Sequence, residues 1–486
     1  MKAITSVLTV FPGQHTLTET QQAYEDSEWR KGCNGSDKGD GDGGRRSGAG
    51  TELLRTLIRN ACVNDGAVGS GHEHRNADAI EDYLRDTGLG FERYAGAPGR
   101  VSLMTRIEGR DRSAPTLLLM GHTDVVPVNP SGWQRDPFGA ELDNGIIWGR
   151  GAVDMLNITA TMAVALRRLA RSGFRPRGTL IYLAAADEEA FGTYGAGYLM
   201  THHAEAIRAD YVITESGGVP VPTPSGALLP LSVGEKGVNW RRVIVRGTPG
   251  HGSRPFRTDN AVVTAAEVVR RIAAYQPKAS IPDVWRGYLA ALGLPAETTA
   301  ELSDPDRVLE AARRMDNVAF ARLTHACTHT TFSANMVRGG VKVNVVPDRV
   351  EIDVDIRSLP GVTPSEVDGM LAEALGDLRD RVEIEAPFAE PGSISSSDTP
   401  LAASLARVTA ALVPGSRIVP RLMVASTDAR YFCWKGVPAY GFGLHSPRIP
   451  DTEYATMFHG NNERVDVDSL RLSALMWEAL CRDFLG

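Results

Sequence analysis

Apolar positions along this chain fall into short continuous runs separated by stretches with helical patterning. Residues 116–120, 180–184 and 211–214 are consecutive apolar runs, as expected of buried strands. Residues 51–62 and 77–86 read as helices, and so does 155–172, which is closed by Gly173 with Pro176 beyond it. Strands alternating with helices predict an α/β fold with a mostly parallel sheet. The pattern changes after Gly234-Glu235-Lys236-Gly237. Strands are predicted at 240–246, 341–345, 350–356 and 381–384, the middle pair separated by Pro347-Asp348. Helices are predicted at 260–275 and at 363–375, the second started by Pro364 and Ser365. This reads as a small α+β domain inserted into the first, with a largely helical excursion at about 277–330. The expected division is a disordered tail at 1–50, a catalytic domain in two parts at 51–237 and 394–486, and the inserted domain at 238–393.

Composition narrows the function classes. A chain of 486 residues, 42% hydrophobic and 23% charged, can bury a real core. Its net charge is −7 and its Lys and Arg are dispersed, so no basic footprint marks a nucleic-acid partner. No apolar run approaches the roughly 18 residues of a membrane span, and because residues 1–11 hold one Lys and a broken apolar stretch with no small-residue cleavage site after it, no signal peptide is expected. Five cysteines without a C-x-x-C pair fit a reducing compartment, so a cytoplasmic location is expected. Residues 32–50, rich in Gly, Asp, Ser and Arg, are expected to stay unstructured. No G-x-G-x-x-G follows the first strand, and Gly192-Thr193-Tyr194-Gly195-Ala196-Gly197 has the wrong order for a dinucleotide site.

The candidate chemistry lies at the ends of the predicted elements. The first strand runs into Gly121-His122-Thr123-Asp124, the second into Asp187-Glu188-Glu189 and the third into Glu215. Asp154 stands where a helix starts. Taken singly, His122 is a structural histidine, Asp154 a helix N-cap, and the glutamates solvated loop charges. Taken together they differ, because ligands of open α/β sheets gather beyond the carboxyl ends of the strands. Several acids in one crevice repel one another unless a cation sits among them. Imidazole and carboxylate donors are the set that catalytic zinc takes.

These residues belong to stretches that resemble the M20 family of metallopeptidases, which includes aminoacylases, acetylornithine deacetylase, succinyl-diaminopimelate desuccinylase and glutamate carboxypeptidases. The matching stretches begin with Gly121-His122-Thr123-Asp124-Val125-Val126-Pro127, Trp148-Gly149-Arg150-Gly151-Ala152-Val153-Asp154-Met155, Asp187-Glu188-Glu189 and Thr214-Glu215. Gly250-His251, Asn344-Val345-Val346-Pro347 and His459-Gly460-Asn461-Asn462-Glu463 complete the series in family order. The resemblance implies a zinc-peptidase-like catalytic domain with an inserted ferredoxin-like lid and dimerisation domain. It implies two divalent metal ions, zinc with cobalt or manganese as substitutes. His122 and Glu215 would bind one ion, Glu189 and His459 the other, and Asp154 would bridge them. Asp124 would orient His122, and Glu188 would act as general base. His251 would stabilise the oxyanion, Asn344 would contact substrate, and Arg357 would clamp a substrate carboxylate.

The implied reaction is hydrolysis of the amide bond of an N-acyl amino acid or of a short peptide with a free carboxylate. The alternatives are hydrolysis of an N-carbamoyl (ureido) substrate and a non-catalytic binding role. The resemblance also leaves room for a homodimer through the inserted domain. Three stretches depart from the family: Leu156-Asn157 stand where many members carry Lys and Gly, Ala425-Ser426-Thr427-Asp428 replaces a Gly-Gly-Thr-Asp stretch, and the excursion at about 277–330 departs from the shorter members.

Overall fold

A computed structural model of the chain describes residues 43–486, so residues 1–42 of the expected tail lie outside the described residues. The tail was expected to reach residue 50, but the first helix spans Gly43–Arg59. Its later turns bury Leu53, Leu54, Leu57 and Ile58 against the main core. A helix nucleated by that packed face extends toward its N-terminus at little cost.

Among the described residues the main sheet has ten strands. At its centre Leu180–Ala185, Leu117–His122, Tyr211–Thr214 and Ala439–Gly441 run parallel, each buried on both faces. Antiparallel strands flank this centre, Phe91–Ala97 and Arg100–Ile107 on one side and Gly226–Glu235 on the other. Helix Leu156–Arg171 crosses one face, almost wholly buried. Gly121 allows its close approach: a Cβ there would meet Thr159 Oγ1 at 2.3 Å. Thr159 Oγ1 in turn donates to the His122 carbonyl at 2.8 Å. The helix is thereby pinned to the end of the strand that carries His122.

A second sheet holds Thr331–Gly339, Arg349–Ser358, Gly237–Arg246 and Val382–Glu390, in that order and all antiparallel. Helices Ala261–Ala274 and Pro364–Leu375 cover one face with Val268, Ile272, Val367 and Leu371. Thr363 caps the second helix through a capping box with Glu366, with Pro364 in its first turn. Of the strand expected at 341–345 only Val345 is paired, in the two-residue strand Val345–Val346. The partner of Arg349–Ser358 is instead Thr331–Gly339, and Val341 and Val343 are 87% and 99% exposed. Gly339-Gly340 ends the paired strand, and the alternating valines beyond it meet solvent rather than a core.

The excursion is helical, as expected. Asp283–Leu292, Ala296–Leu302, Val308–Arg313 and Val318–Thr328 enclose Trp285, Leu289, Leu302 and Cys327. This small core also takes in Leu228, Val419 and Leu422 of the main sheet, so the excursion packs against Arg417–Met423. Lys236, buried at the junction of the two sheets, donates to the carbonyls of Ala326 (2.9 Å) and His329 (2.8 Å) at the end of the last of these helices. Among the described residues no helix is long and apolar enough to cross a membrane.

Candidate metal centre

Three parallel strands and one helix start deliver their polar ends to the same place. His122 is the last residue of its strand, Glu215 follows Tyr211–Thr214, and Glu188-Glu189 form a short turn after Leu180–Ala185. Asp154 precedes Met155, the N-cap of helix Leu156–Arg171, so its carboxylate does not cap that helix. His459 arrives from a distant loop in left-handed backbone (φ 55°). Asp187, Phe191 and Ser216 beside the cluster are also left-handed, at φ 68°, 69° and 77°. Such backbone concentrates at functional sites.

Among the described residues, two groups of side chains could each hold a metal ion: His122, Asp154 and Glu215, and Asp154, Glu189 and His459. Asp154 belongs to both. Its Oδ1 is 3.4 Å from His122 Nε2, and its Oδ2 is 3.3 Å from His459 Nε2. Glu215 Oε1 lies 3.7 Å from His122 Nε2, and Glu189 Oε2 lies 3.1 Å from His459 Nε2. Glu188 joins neither group, although its Oε2 is 3.9 Å from His122 Nε2.

Electrostatics follow from burial and crowding. Burial pushes the carboxyls of Glu188, Glu189 and Glu215 above the usual carboxylate range, and neighbouring acids add to it. Burial acts the same way on Asp154, but hydrogen bonds from His122 and His459 outweigh it and hold that carboxyl well below the range. Bonds to Asp154 and Glu189 lift His459 to about 10. Burial opposes the charge on His122, yet contacts with Asp124, Asp154, Glu215 and Glu188 raise its imidazole well above the ordinary value. The site thus demands positive charge.

Asp124 differs in detail from the expectation. Its backbone carbonyl, at 3.0 Å, is closer to His122 Nδ1 than its carboxylate, at 3.5 Å. The carboxylate also accepts from the backbone N–H groups of Glu188 (3.2 Å) and Glu189 (3.1 Å), fixing the turn that carries both glutamates. Asn64 donates to it at 2.8 Å and to Asp187 at 3.0 Å. Behind Asn64 lies Arg100, fully buried, bonded to Glu73 (2.6 Å), Asn64 (2.9 Å) and Asp187 (3.2 Å). The sequence reading missed Asn64, Glu73 and Arg100, because isolated polar residues outside a motif read as surface. Removing one partner of a buried ion pair leaves a buried charge uncompensated, at a cost of about 3–5 kcal/mol. Arg100→Ala is therefore expected to lower unfolding stability by that amount in urea titration, and wild-type stability would contradict the network's role.

His251 and Asn344 stand together elsewhere. His251 pairs with Val345 in a two-residue ladder, and Gly252 donates to the Asn344 carbonyl at 2.8 Å. Both side chains are exposed, and neither bonds to the acid cluster among the described residues. Arg357 lies in an interior strand of the second sheet, not at an edge, and its Nε donates to Asp355 at 2.9 Å. Trp240 Nε1 donates to the same carboxylate at 3.1 Å. The Trp240 ring meets Phe191 edge-on at 4.9 Å, and Phe191 stacks on Phe388 at 4.1 Å. Since Phe191 follows Glu188-Glu189-Ala190, these rings tie the face bearing Arg357 to the turn that carries both glutamates. Asp428, in the stretch that departs from the family, is buried, and burial pushes its carboxyl up to about 7.

Comparison with known proteins places this geometry in a family. Residues 118–483 match Peptidase family M20/M25/M40. Mouse aminoacylase-1 is 28% identical over 396 residues, covering 80% of this chain and 85% of that protein. The mouse N-fatty-acyl-amino acid synthase/hydrolase PM20D1 is 27% identical over 443 residues, covering 86% of each. The fold is shared with the M20 family metallo-carboxypeptidase Sso-CP2 from Sulfolobus solfataricus, at a TM-score of 0.69 and 18% identity over 90% of this chain and 99% of that one. Human carnosine dipeptidase 1 aligns at a TM-score of 0.64 and 15% identity, over 94% of this chain and 99% of that one. The match over residues 118–483 shows that the chain belongs to the M20/M25/M40 peptidase family and is a hydrolase.

Proposed function

We propose that this hydrolase cleaves the amide or peptide bond of an N-acyl amino acid or short peptide with a free carboxylate, using two divalent ions. The observation that carries the reading is Asp154, whose two oxygens face two histidines in two separate donor groups. The residues fit such ions. Imidazole and carboxylate donors suit zinc, with cobalt or manganese as substitutes, and Glu189 Oε1 is buried with no hydrogen-bond partner. A bound pair of this kind supplies Lewis acidity and brings the pKa of water toward neutrality. Glu188, outside both donor groups, takes the proton of the attacking water and returns it to the leaving amine. Asp124 positions His122 and the glutamate turn. The relatives named aminoacylase, N-fatty-acyl-amino acid hydrolase and dipeptidase support an amide or peptide substrate.

Arg357 is the carboxylate clamp in this reading, joined to the catalytic turn through Asp355, Trp240 and Phe191. A hydrogen bond to a charged group contributes about 1.5–3 kcal/mol. Arg357→Ala is therefore expected to lower kcat/KM by roughly 10- to 100-fold for carboxylate substrates and to leave the corresponding amides unaffected. An equal loss on both would remove the clamp.

A homodimer through the second sheet completes the reading. His251 and Asn344, as oxyanion donor and substrate contact, lie on two segments joined by the His251–Val345 ladder, and the same segments expose Phe256, Val341 and Val343. An apolar patch of this kind marks an interaction surface. A fully active monomer in sedimentation would count against this arrangement. The deciding experiment for the reaction is a hydrolysis screen with zinc present, setting N-acetyl and N-succinyl amino acids and dipeptides against N-carbamoyl amino acids. Turnover of the ureido substrates alone would replace the amide reading.

A further inference from the structure

Asp154 is held in place by a residue that the proposed chemistry does not use. Glu463, 0% exposed, ends the segment that begins with His459. Its Oε1 accepts from the backbone N–H groups of Val153 (2.7 Å) and Asp154 (2.9 Å). Its Oε2 accepts from the Gly151 N–H (2.9 Å) and from Arg150 Nη1 (2.8 Å). The Glu463 carbonyl accepts from the Gly149 N–H at 2.9 Å, and Arg150 Nη2 reaches back to the His459 carbonyl at 3.4 Å.

We propose that Glu463 is a positioning residue that fixes Asp154 between both donor groups. The segment 459–463 would then provide one ligand directly, His459, and aim the shared one through Glu463. This inference rests on the reading of Asp154 as the carboxylate common to two ions. The chemistry of the site requires the anion. A carboxylate offers about four acceptor directions on two oxygens, and four donors occupy them. Glutamine keeps one oxygen, so its amide N–H groups would face either the Val153 and Asp154 N–H groups or those of Gly151 and Arg150. Donor would oppose donor in a buried site, and the turn that presents Asp154 would move. Because Asp154 lies between the two histidines, a shift there disturbs both donor groups together.

Calorimetric titration of Zn2+ into metal-free protein tests this without turnover. The wild-type protein is expected to take two equivalents. Glu463→Gln is expected to weaken both sites by roughly 10- to 100-fold, the range for residues that orient metal ligands, whereas His459→Ala weakens one. Two equivalents at wild-type affinity in Glu463→Gln would overturn the proposal, and so would a loss confined to one site. If Glu463→Gln does not fold, Arg150→Met removes one of the four donors and is expected to give a smaller loss at both sites; unchanged affinities there overturn the proposal equally. A wild-type protein that takes up no zinc removes the two-ion reading, and this inference with it.

Discussion

Glu188→Gln is expected to take up metal as the wild-type protein does and to lose at least about 10²-fold in kcat, the contribution of a positioned proton-transfer group. The substitution is nearly isosteric, and the backbone contact that fixes the turn, from the Glu188 N–H to Asp124, does not involve the side chain. Glu188 belongs to neither donor group, while its neighbour Glu189 belongs to one. Adjacent glutamates can thus divide the work, one holding an ion and the other moving a proton. Burial, with Asp428 and Glu189 adding to it, pushes the Glu188 carboxyl above the usual carboxylate range. Metal content and steady-state rates, measured on the same preparation, separate the outcomes. Normal turnover would show that Glu188 is not the base, and loss of metal would show that it is a ligand.

Removal of metal with excess chelator is expected to abolish hydrolysis, and zinc, cobalt or manganese to restore it. Without a cation, an attacking water keeps a pKa near 15.7 instead of about 7, and Glu188 alone cannot make up that difference. The melting temperature is expected to fall with the activity, since a ligand that binds only the folded state stabilises it by mass action. Unmet acid repulsion among Asp154, Glu189 and Glu215 acts in the same direction. Full turnover in excess chelator would remove the metal-dependent mechanism.

The parts legible in the sequence were those written in local pattern. Strands Leu117–His122, Leu180–Ala185 and Tyr211–Thr214 are buried on both faces, so they appear as unbroken apolar runs and their polar ends stand out. Helix Leu156–Arg171 was bounded to within one residue by its pattern and the glycine after it. Strand Gly226–Glu235 went unread because Pro230 interrupts it, and proline argues against a sheet interior. The valines of 341–345 alternate as a half-buried strand would, but Val341 and Val343 face solvent and only Val345 finds a partner, in His251.

The seven motifs by themselves identified the residue types of the site and their order along the chain. Tertiary structure alone decided which atoms meet: that Asp154 faces two histidines, that the Asp124 carboxylate holds the glutamate turn, and that Asn64 and Arg100 stand behind it. It also joined Arg150 to Glu463, 313 positions away, and left His251 and Asn344 exposed. The reason is physical. Periodicity reports whether a position is buried, which is a property of one element, whereas a hydrogen-bond partner is set by how separate elements close around a common core.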